Sequence, residues 1–234
     1  MGSFLGEVLR WDEWLLRKIN GEWISPWADQ WFSFSADFGL LVWPFALGLL
    51  ALLIFGGFRE RVFLVLLAAV LLIGDAGLNS WIKRTVNRPR PIQALENVRY
   101  VKQNGLFNVA VTLSRPEPGP VVRGRSMTSG HVCNNVAVAM IVTALYAPWG
   151  WWIWLWTLSM SYGRIYTGAH YPTDVVASWF LALAYTGAIL WGAEWMWQRW
   201  GPRWLPTIYE KNSSLFPKFL PSAGARPARQ HLER

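Results

Sequence analysis

Three short stretches of this chain gather the residue types of phosphate chemistry. Lys83-Arg84-Thr85-Val86-Asn87-Arg88-Pro89-Arg90-Pro91 is dense in fixed cations. Ser129-Gly130-His131 sets a hydroxyl, a missing side chain and an imidazole at the head of an apolar run. Arg164 to Asp174 carries another cation, then His170 and, four residues on, a carboxylate. The chain has 3 histidines in all, and two of them lie in these stretches. Together the pieces offer a cradle for an anion, a nucleophile, and a general acid with its orienting partner.

Each piece has a physical rationale. A serine before an apolar run is a helix N-cap, and a helix start presents unpaired backbone N–H groups to an anion. Gly130 clears the approach, and His131 falls in the first turn, where a neutral imidazole can attack phosphorus and form a phospho-histidine. Taken alone, the triplet reads equally as a capped helix with an interfacial histidine. Pro172 suits a first helical turn, so His170 and Asp174 can share one face. A carboxylate accepting the Nδ1 hydrogen would fix the tautomer, and His170 would protonate the leaving oxygen and then activate water. Asp174 alone also reads as a capping acid. Lys83, Arg90 and Arg164 would hold the phosphate oxygens, arginine as a planar fork and lysine as a point charge. Arg84, Arg88, Arg123 and Arg125 read as surface or lipid-headgroup contacts. Asp75, inside or near the end of an apolar span, is a costly intramembrane acid that can pair with a motif cation. No cluster of carboxylates or cysteines marks a metal site, and no cofactor is expected. Cys133 is the single cysteine, which excludes an intramolecular disulfide.

The elements that must position these residues are apolar. The chain of 234 residues is 53% hydrophobic and 15% charged, against roughly 25% charged in soluble domains. Its net charge of +8, beside such apolar runs, points to phosphate and anionic lipid rather than nucleic acid. Residues 4–19 form an amphipathic helix, with Leu5, Val8, Leu9, Leu15, Leu16 and Ile19 on one side. Trp11 and Trp14 suit the lipid–water boundary, so the helix is expected to lie on the membrane; packing on the protein itself is the other reading. Five apolar stretches follow, at about 38–56, 62–82, 132–148, 149–166 and 175–197. Each is near the ~20 residues that cross a hydrocarbon layer. The connection 83–130 is long, polar and rich in Pro and Gly, which marks it as functional or disordered. The tail beyond 204 is basic and is expected to be a mobile extension.

Span parity then makes a prediction. The start of the 83–130 connection, His131, and the Arg164–Asp174 link all fall on one face of the membrane. Residues 57–61, 147–150 and the tail fall on the other. Cations at Arg59, Arg61, Arg199, Arg203, Lys211, Lys218, Arg226, Arg229 and Arg234 favour the tail side as cytoplasmic.

The three pieces, in this order and on these span ends, resemble the type-2 phosphatidic acid phosphatase superfamily. Lys83 to Arg90-Pro91 matches its first motif in full. Ser129-Gly130-His131 matches the second, with Thr128 where proline is usual. Arg164, His170 and Asp174 match the third in spacing, with Gly163 in place of a serine. The resemblance covers roughly residues 20–197. It implies a helical membrane bundle and metal-independent dephosphorylation through a phospho-histidine. Carried onto this sequence, it implies His131 as nucleophile, His170 as general acid and Asp174 as the support of His170. Lys83, Arg90, Ser129, Gly130 and Arg164 would bind phosphate. The compact layout looks like the bacterial undecaprenyl-diphosphate phosphatases within that superfamily; lipid A 1-phosphatases and phosphatidylglycerophosphate phosphatases share the signature.

The expectation is therefore an all-α integral-membrane bundle of about five to six transmembrane helices with an N-terminal interfacial helix. Residues 1–204 would form the phosphatase domain and 205–234 a basic extension. The partners would be a lipid phosphate substrate within the bilayer and membrane lipids, with no nucleic acid. The place would be a bacterial inner membrane, with the site facing the periplasm or exterior. Transfer of the phosphoryl group to a second lipid, and a non-enzymatic carrier of anionic lipids, are the competing readings. The sequence leaves the lipid, the oligomeric state and the role of residues 92–126 open.

Overall fold

Long runs of Leu, Val, Ile, Ala and Trp, broken only by short Gly- and Pro-bearing links, wind into helices and dictate most of the architecture. The computed structural model describes residues 4–36, 39, 42–105, 108–117, 119, 124–147 and 150–216. Arg123 and the tail beyond Phe216, each given a part in the sequence reading, lie outside the described residues. The helices are α1 (Phe4–Arg17), α2 (Pro26–Ala36), α3 (Val42–Phe55), α4 (Phe58–Ala69), α5 (Ser80–Val86), α6 (Pro91–Ala94), α7 (Gly130–Tyr146), α8 (Gly150–Tyr166), α9 (Pro172–Trp204) and α10 (Pro206–Lys211). A π-helical stretch, Val70–Asn79, joins α4 to α5 without a break. Two stretches, Phe58–Ala94 and Pro172–Trp204, are long and apolar enough to cross a membrane, and Val42–Phe55 and Gly130–Tyr146 are shorter apolar helices.

The centre is α7. Val132, Cys133, Val136, Ala137 and Ile141 on it are fully buried. It packs against α8, α9 and the π-helical stretch. Close approach there depends on Gly74, because a Cβ at that position would come within 2.5 Å of Tyr185 Cζ on α9. By contrast α3 has no buried residue, as expected of a helix turned toward lipid.

The expected all-helical fold needs one correction. The 83–130 connection carries a two-stranded antiparallel hairpin, β1 (Arg99–Gln103) and β2 (Val109–Leu113), with Arg99 opposite Leu113 and Gln103 opposite Val109. Alternation of Val and Tyr with polar residues in Arg-Tyr-Val-Lys-Gln and Val-Ala-Val-Thr-Leu favours strands. Val98 and Val101 are buried against the protein, so this hairpin is docked rather than loose.

The two ends also fold onto the body. Helix α1 buries Asp12 and Leu16, while Phe4, Leu5, Leu9, Trp11 and Trp14 remain exposed. It thus presents one face to the protein and another outward. At the far end residues 205–216 fold back along α9. Trp197 Nε1 donates to Asn212 O at 2.7 Å, Leu215 N donates to Glu194 Oε2 at 2.8 Å, and Phe216 is buried. This part of the expected extension is seated, and Glu194 is its buried acceptor.

Candidate active site

The site is built where one end of α5, α7 and α8 meets the entry to α9. Helix α5 ends at Asn87, whose left-handed conformation (φ 45) closes the helix with a bond from its N–H to Lys83 O. That leaves Lys83 in the last turn and sends Arg88 and Arg90 out on an extended segment. Ser129 precedes α7. Its N–H donates to Ser178 Oγ on α9 at 2.8 Å, and its carbonyl accepts the first helical bond from Cys133. The hydroxyl of Ser129 is fully buried, has no protein partner, and does not cap the helix. A buried orphan hydroxyl is costly, and a phosphate oxygen would satisfy it.

Gly130 is required by its surroundings. A Cβ there would lie 2.9 Å from Asp75 Oδ1, 3.1 Å from Asn79 Nδ2 and 3.2 Å from Lys83 Nζ. The π-helical turn carries Asp75 and Asn79 to this spot. Asn79 Nδ2 donates to Asp75 Oδ1 at 2.6 Å, Asn134 Nδ2 donates to Asp75 Oδ2 at 3.2 Å, and Thr128 Oγ1 donates to Asn79 Oδ1. Thr128, which departs from the family motif, therefore contributes a hydroxyl to a network that proline could not join. Asp75 belongs to the floor beside Lys83.

The third piece closes on a turn wound over Arg164, whose carbonyl accepts both Ala169 N (3.2 Å) and His170 N (3.1 Å). Gly168 takes φ +73, and a Cβ on it would meet Arg99 O at 2.5 Å, so only glycine lets the turn lie on β1. Gly163, in place of the usual serine, packs tightly: a Cβ would be 3.3 Å from both Phe32 Cδ1 and Ser35 Oγ on α2. Arg164 is buried, and its Nη1 donates to Ala36 O at 3.1 Å.

The predicted residues converge. The charges of Lys83, Arg90 and Arg164 all bear on both imidazoles, His131 and His170. The rings themselves differ. His131 is exposed, whereas His170 is 2% exposed. Burial, then the guanidinium charges of Arg164 and Arg90, hold the His170 imidazole well below its ordinary value of 6.5. Its Nδ1 lies 2.7 Å from Ser126 O. A carbonyl can only accept, so Nδ1 carries the hydrogen and Nε2 keeps a free lone pair.

The expected direct bond between His170 and Asp174 is not formed. Asp174 Oδ2 stands 3.9 Å from His170 Nδ1. The carboxylate is engaged elsewhere: it accepts Arg88 Nη1 at 2.7 Å, Tyr171 N at 3.0 Å and the hydroxyl of Ser126. Asp174 therefore reaches His170 through Ser126, whose hydroxyl it holds and whose carbonyl holds the ring. It also caps the entry to α9 through Tyr171 N, so both sequence readings of Asp174 describe part of it.

Arg88 needs a correction as well. Read as a surface cation, it is a half-buried strut. Its fork also bonds Asp12 Oδ2 at 2.5 Å and Thr173 Oγ1 at 2.8 Å, and its guanidinium lies 3.9 Å over the Tyr171 ring. Arg84 and Arg125 are exposed, as read. Ser126, Arg88 and Asp12 escaped the motif search. One signal was present for Asp12: a carboxylate midway between Val8 and Leu16 on the apolar side of a helix needs a partner.

Comparison with known proteins adds the following. The PAP2 superfamily model matches residues 61–199. The lipid A 4'-phosphatase of Bacteroides thetaiotaomicron is 27% identical over 183 residues, covering 76% of this chain and 73% of that protein. Phosphatidylglycerophosphatase B of Escherichia coli K12 is 25% identical over 160 residues, covering 57% of this chain and 61% of that protein. The crystal structure of Aquifex aeolicus LpxE superposes with a TM-score of 0.54 at 24% identity, over 76% of this chain and 93% of that one, a likeness of fold.

Proposed function

The chain belongs to the PAP2 superfamily, and on that premise we propose that it is an integral-membrane lipid phosphatase working through a phospho-histidine. At the coarser level it is a phosphate-ester hydrolase with helices fit to cross a membrane. The observation that carries the reading is the start of α7, where the buried Ser129 hydroxyl has no protein partner and Gly130 lies against Lys83 Nζ, with an exposed and a buried imidazole within the field of Lys83, Arg90 and Arg164.

The geometry supports the reverse of the roles implied by the resemblance. His170 is neutral, with its hydrogen tied to Ser126 O and its Nε2 lone pair free. To serve as an acid it would need a second proton on a ring that is almost wholly shut off from water, whereas His131, near the same cations, is exposed. It is therefore the nucleophile. His131, open to water, is the general acid. In the first step His170 Nε2 bonds to phosphorus, the P–O bond to the lipid breaks, and His131 gives its proton to the departing oxygen. In the second step His131 takes a proton from water, the water oxygen bonds to phosphorus, the P–N bond breaks, and inorganic phosphate leaves. Lys83, Arg90, Arg164, the orphan hydroxyl of Ser129 and the N–H groups at the start of α7 hold the phosphate oxygens through both steps.

The substrate is a lipid with a terminal phosphate, held at headgroup depth where these helix ends lie. Undecaprenyl diphosphate leads on the compact layout, and the relatives' names set lipid A and phosphatidylglycerophosphate beside it. If α3, α4–α5, α7, α8 and α9 each cross, the site falls on the face opposite Arg59, Arg61 and Arg199. The positive-inside rule then favours the periplasmic face of a bacterial inner membrane for the site. The test is phosphate release from these three lipids in detergent with EDTA present, for wild type and His170→Ala. Release that survives the chelator and vanishes in the variant is expected. Failure of wild type on all three overturns the phosphatase reading.

A further inference from the structure

We propose that Asp12, on the N-terminal helix and far in sequence from every motif, is a positioning residue for His170, acting through Arg88, Asp174 and Ser126. The inference rests on His170 being the attacking base. Asp12 is 2% exposed and spends its carboxylate entirely on the entry to α9 and on Arg88. Oδ1 accepts Thr173 N at 2.8 Å; Oδ2 accepts Thr173 Oγ1 at 2.6 Å and Arg88 Nη2 at 2.5 Å. A carboxylate is favoured there, because Thr173 N is among the unpaired N–H groups at a helix start.

The consequence runs along one chain of contacts. Arginine donates through a rigid planar fork. Asp12 holds one edge of it, and that choice aims the other nitrogen at Asp174 Oδ1, 2.7 Å away. Tyr171 stacks on the guanidinium at 3.9 Å and limits its tilt. Asp174, so held, fixes the hydroxyl of Ser126, and Ser126 is fixed again by its own N–H on Arg88 O at 2.9 Å. Its carbonyl is left facing His170 Nδ1 at 2.7 Å. Gly124 makes this register possible, since a Cβ there would come within 2.5 Å of Arg88 O. Without Asp12, Arg88 keeps Asp174, Thr173 and the Tyr171 ring, but the Nη2 edge of its fork is no longer held. The tautomer of His170 then loses its clamp, although no catalytic group has been removed.

The test uses the full chain in detergent, 15N-labelled at histidine; with 3 histidines the spectrum is simple. Wild type is expected to show one ring locked as the Nδ1–H tautomer, assigned by its loss in His170→Asn. Asp12→Asn should convert that signal to exchanging tautomers. Asp29→Asn, which breaks an equally close Arg–Asp contact away from the site, should leave it intact. Where wild type turns over one of the three lipids, Asp12→Asn should lower kcat by about 10- to 100-fold with KM within about twofold, the loss seen when an outer partner of a functional side chain is removed. Asp12→Glu should recover part of it. A locked His170 signal in folded Asp12→Asn overturns the inference, whatever the rate. If Asp12→Asn does not fold, Asp12→Glu is read instead, and a wild-type signal with wild-type kcat overturns it. The ring signal needs no turnover, so failure of the phosphatase reading and failure of this inference are seen separately.

Discussion

Two arginines of the same connection each grip an aspartate near the N-terminus, and their surroundings make them different devices. Arg88 holds Asp12 of α1 and Asp174 of α9, both fully or almost fully buried. Arg99 holds Asp29 of α2 through two bonds at 2.9 and 2.7 Å, and Tyr166 OH donates to the same carboxylate at 2.7 Å. Around it Asn20 ties Arg99 N, Arg99 O and Tyr166 O. The second knot straps the hairpin to the N-terminal segment and to the end of α8 at Tyr166. The first continues through Ser126 to the buried imidazole of His170. An ion pair is weak evidence for stability; what separates these two is what lies at the next contact.

The largest effect should come at the end of the first knot. His170→Ala is expected to lower phosphate release by at least about 10⁴-fold, since a missing nucleophile has no substitute. It should do so equally for 4-nitrophenyl phosphate, whose leaving group needs no proton. His131→Ala should lose roughly 10²–10⁴-fold on a lipid substrate and far less on 4-nitrophenyl phosphate. Comparing the two substrates checks the roles; the opposite pattern would return His131 to the nucleophile's place. Tyr166→Phe, in the second knot, should leave kcat within about twofold on either substrate, because the hydroxyl it removes bonds Asp29 and Ser25 and no group of the site, a loss of about 1 kcal/mol per hydrogen bond.

Next come the arginines themselves. Arg88→Met leaves two buried carboxylates unpaired, a loss of roughly 3–5 kcal/mol, and should lower kcat by about 100-fold in whatever protein stays folded. Arg99→Met should cost about 1.5–3 kcal/mol, the scale for hydrogen bonds to a charged group, and spare kcat. Thermal unfolding and single-turnover rates on the same samples separate the cases. Equal kcat losses in both variants would erase the distinction between strap and positioning device.

How much of this was legible in the sequence follows from the range of each signal. Lys83, Arg90, His131, Arg164 and His170 were found by type and spacing, and span parity brought them to one end of the bundle, because both arguments need only local order along the chain. Gly130 and Gly168 likewise answer local crowding. The hairpin was legible in the alternation of Arg99–Gln103 and Val109–Leu113, yet composition read the whole connection as a loop. Arg88 and Arg99 could not be told apart, since a cation's partner is set by tertiary contact. The roles of the two histidines were also out of reach: the tautomer of His170 depends on one backbone carbonyl, that of Ser126, which no motif spacing specifies.

Shortening the first knot at its last link should have a smaller effect. Ser126→Ala removes the hydroxyl on Asp174 and keeps the carbonyl on His170. A loss of about 10-fold in kcat, with KM unchanged, is expected, less than for Arg88→Met because the backbone bond from Ser126 N to Arg88 O still holds the segment.

The smallest effect is on stability and has a definite sign. His170 is held neutral in the folded state, well below 6.5, by burial and by Arg164 and Arg90. Unfolded, it titrates near 6.5. Between those values the unfolded chain binds a proton that the folded chain does not, so stability rises with pH through that window and is fully present above about 6.5. As pH falls below 6.5 this single group should subtract up to about 1.4 kcal/mol per unit until the folded-state ring itself protonates. His170→Asn keeps a donor for Ser126 O and cannot titrate. Between pH 7.5 and 5.5 its melting temperature should therefore fall less than that of wild type, while Arg99→Met, which leaves His170 buried, should keep the wild-type slope. Parallel melting curves for wild type and His170→Asn across this range would mean that the ring is not kept neutral, and the case for His170 as the attacking base would lose its electrostatic ground.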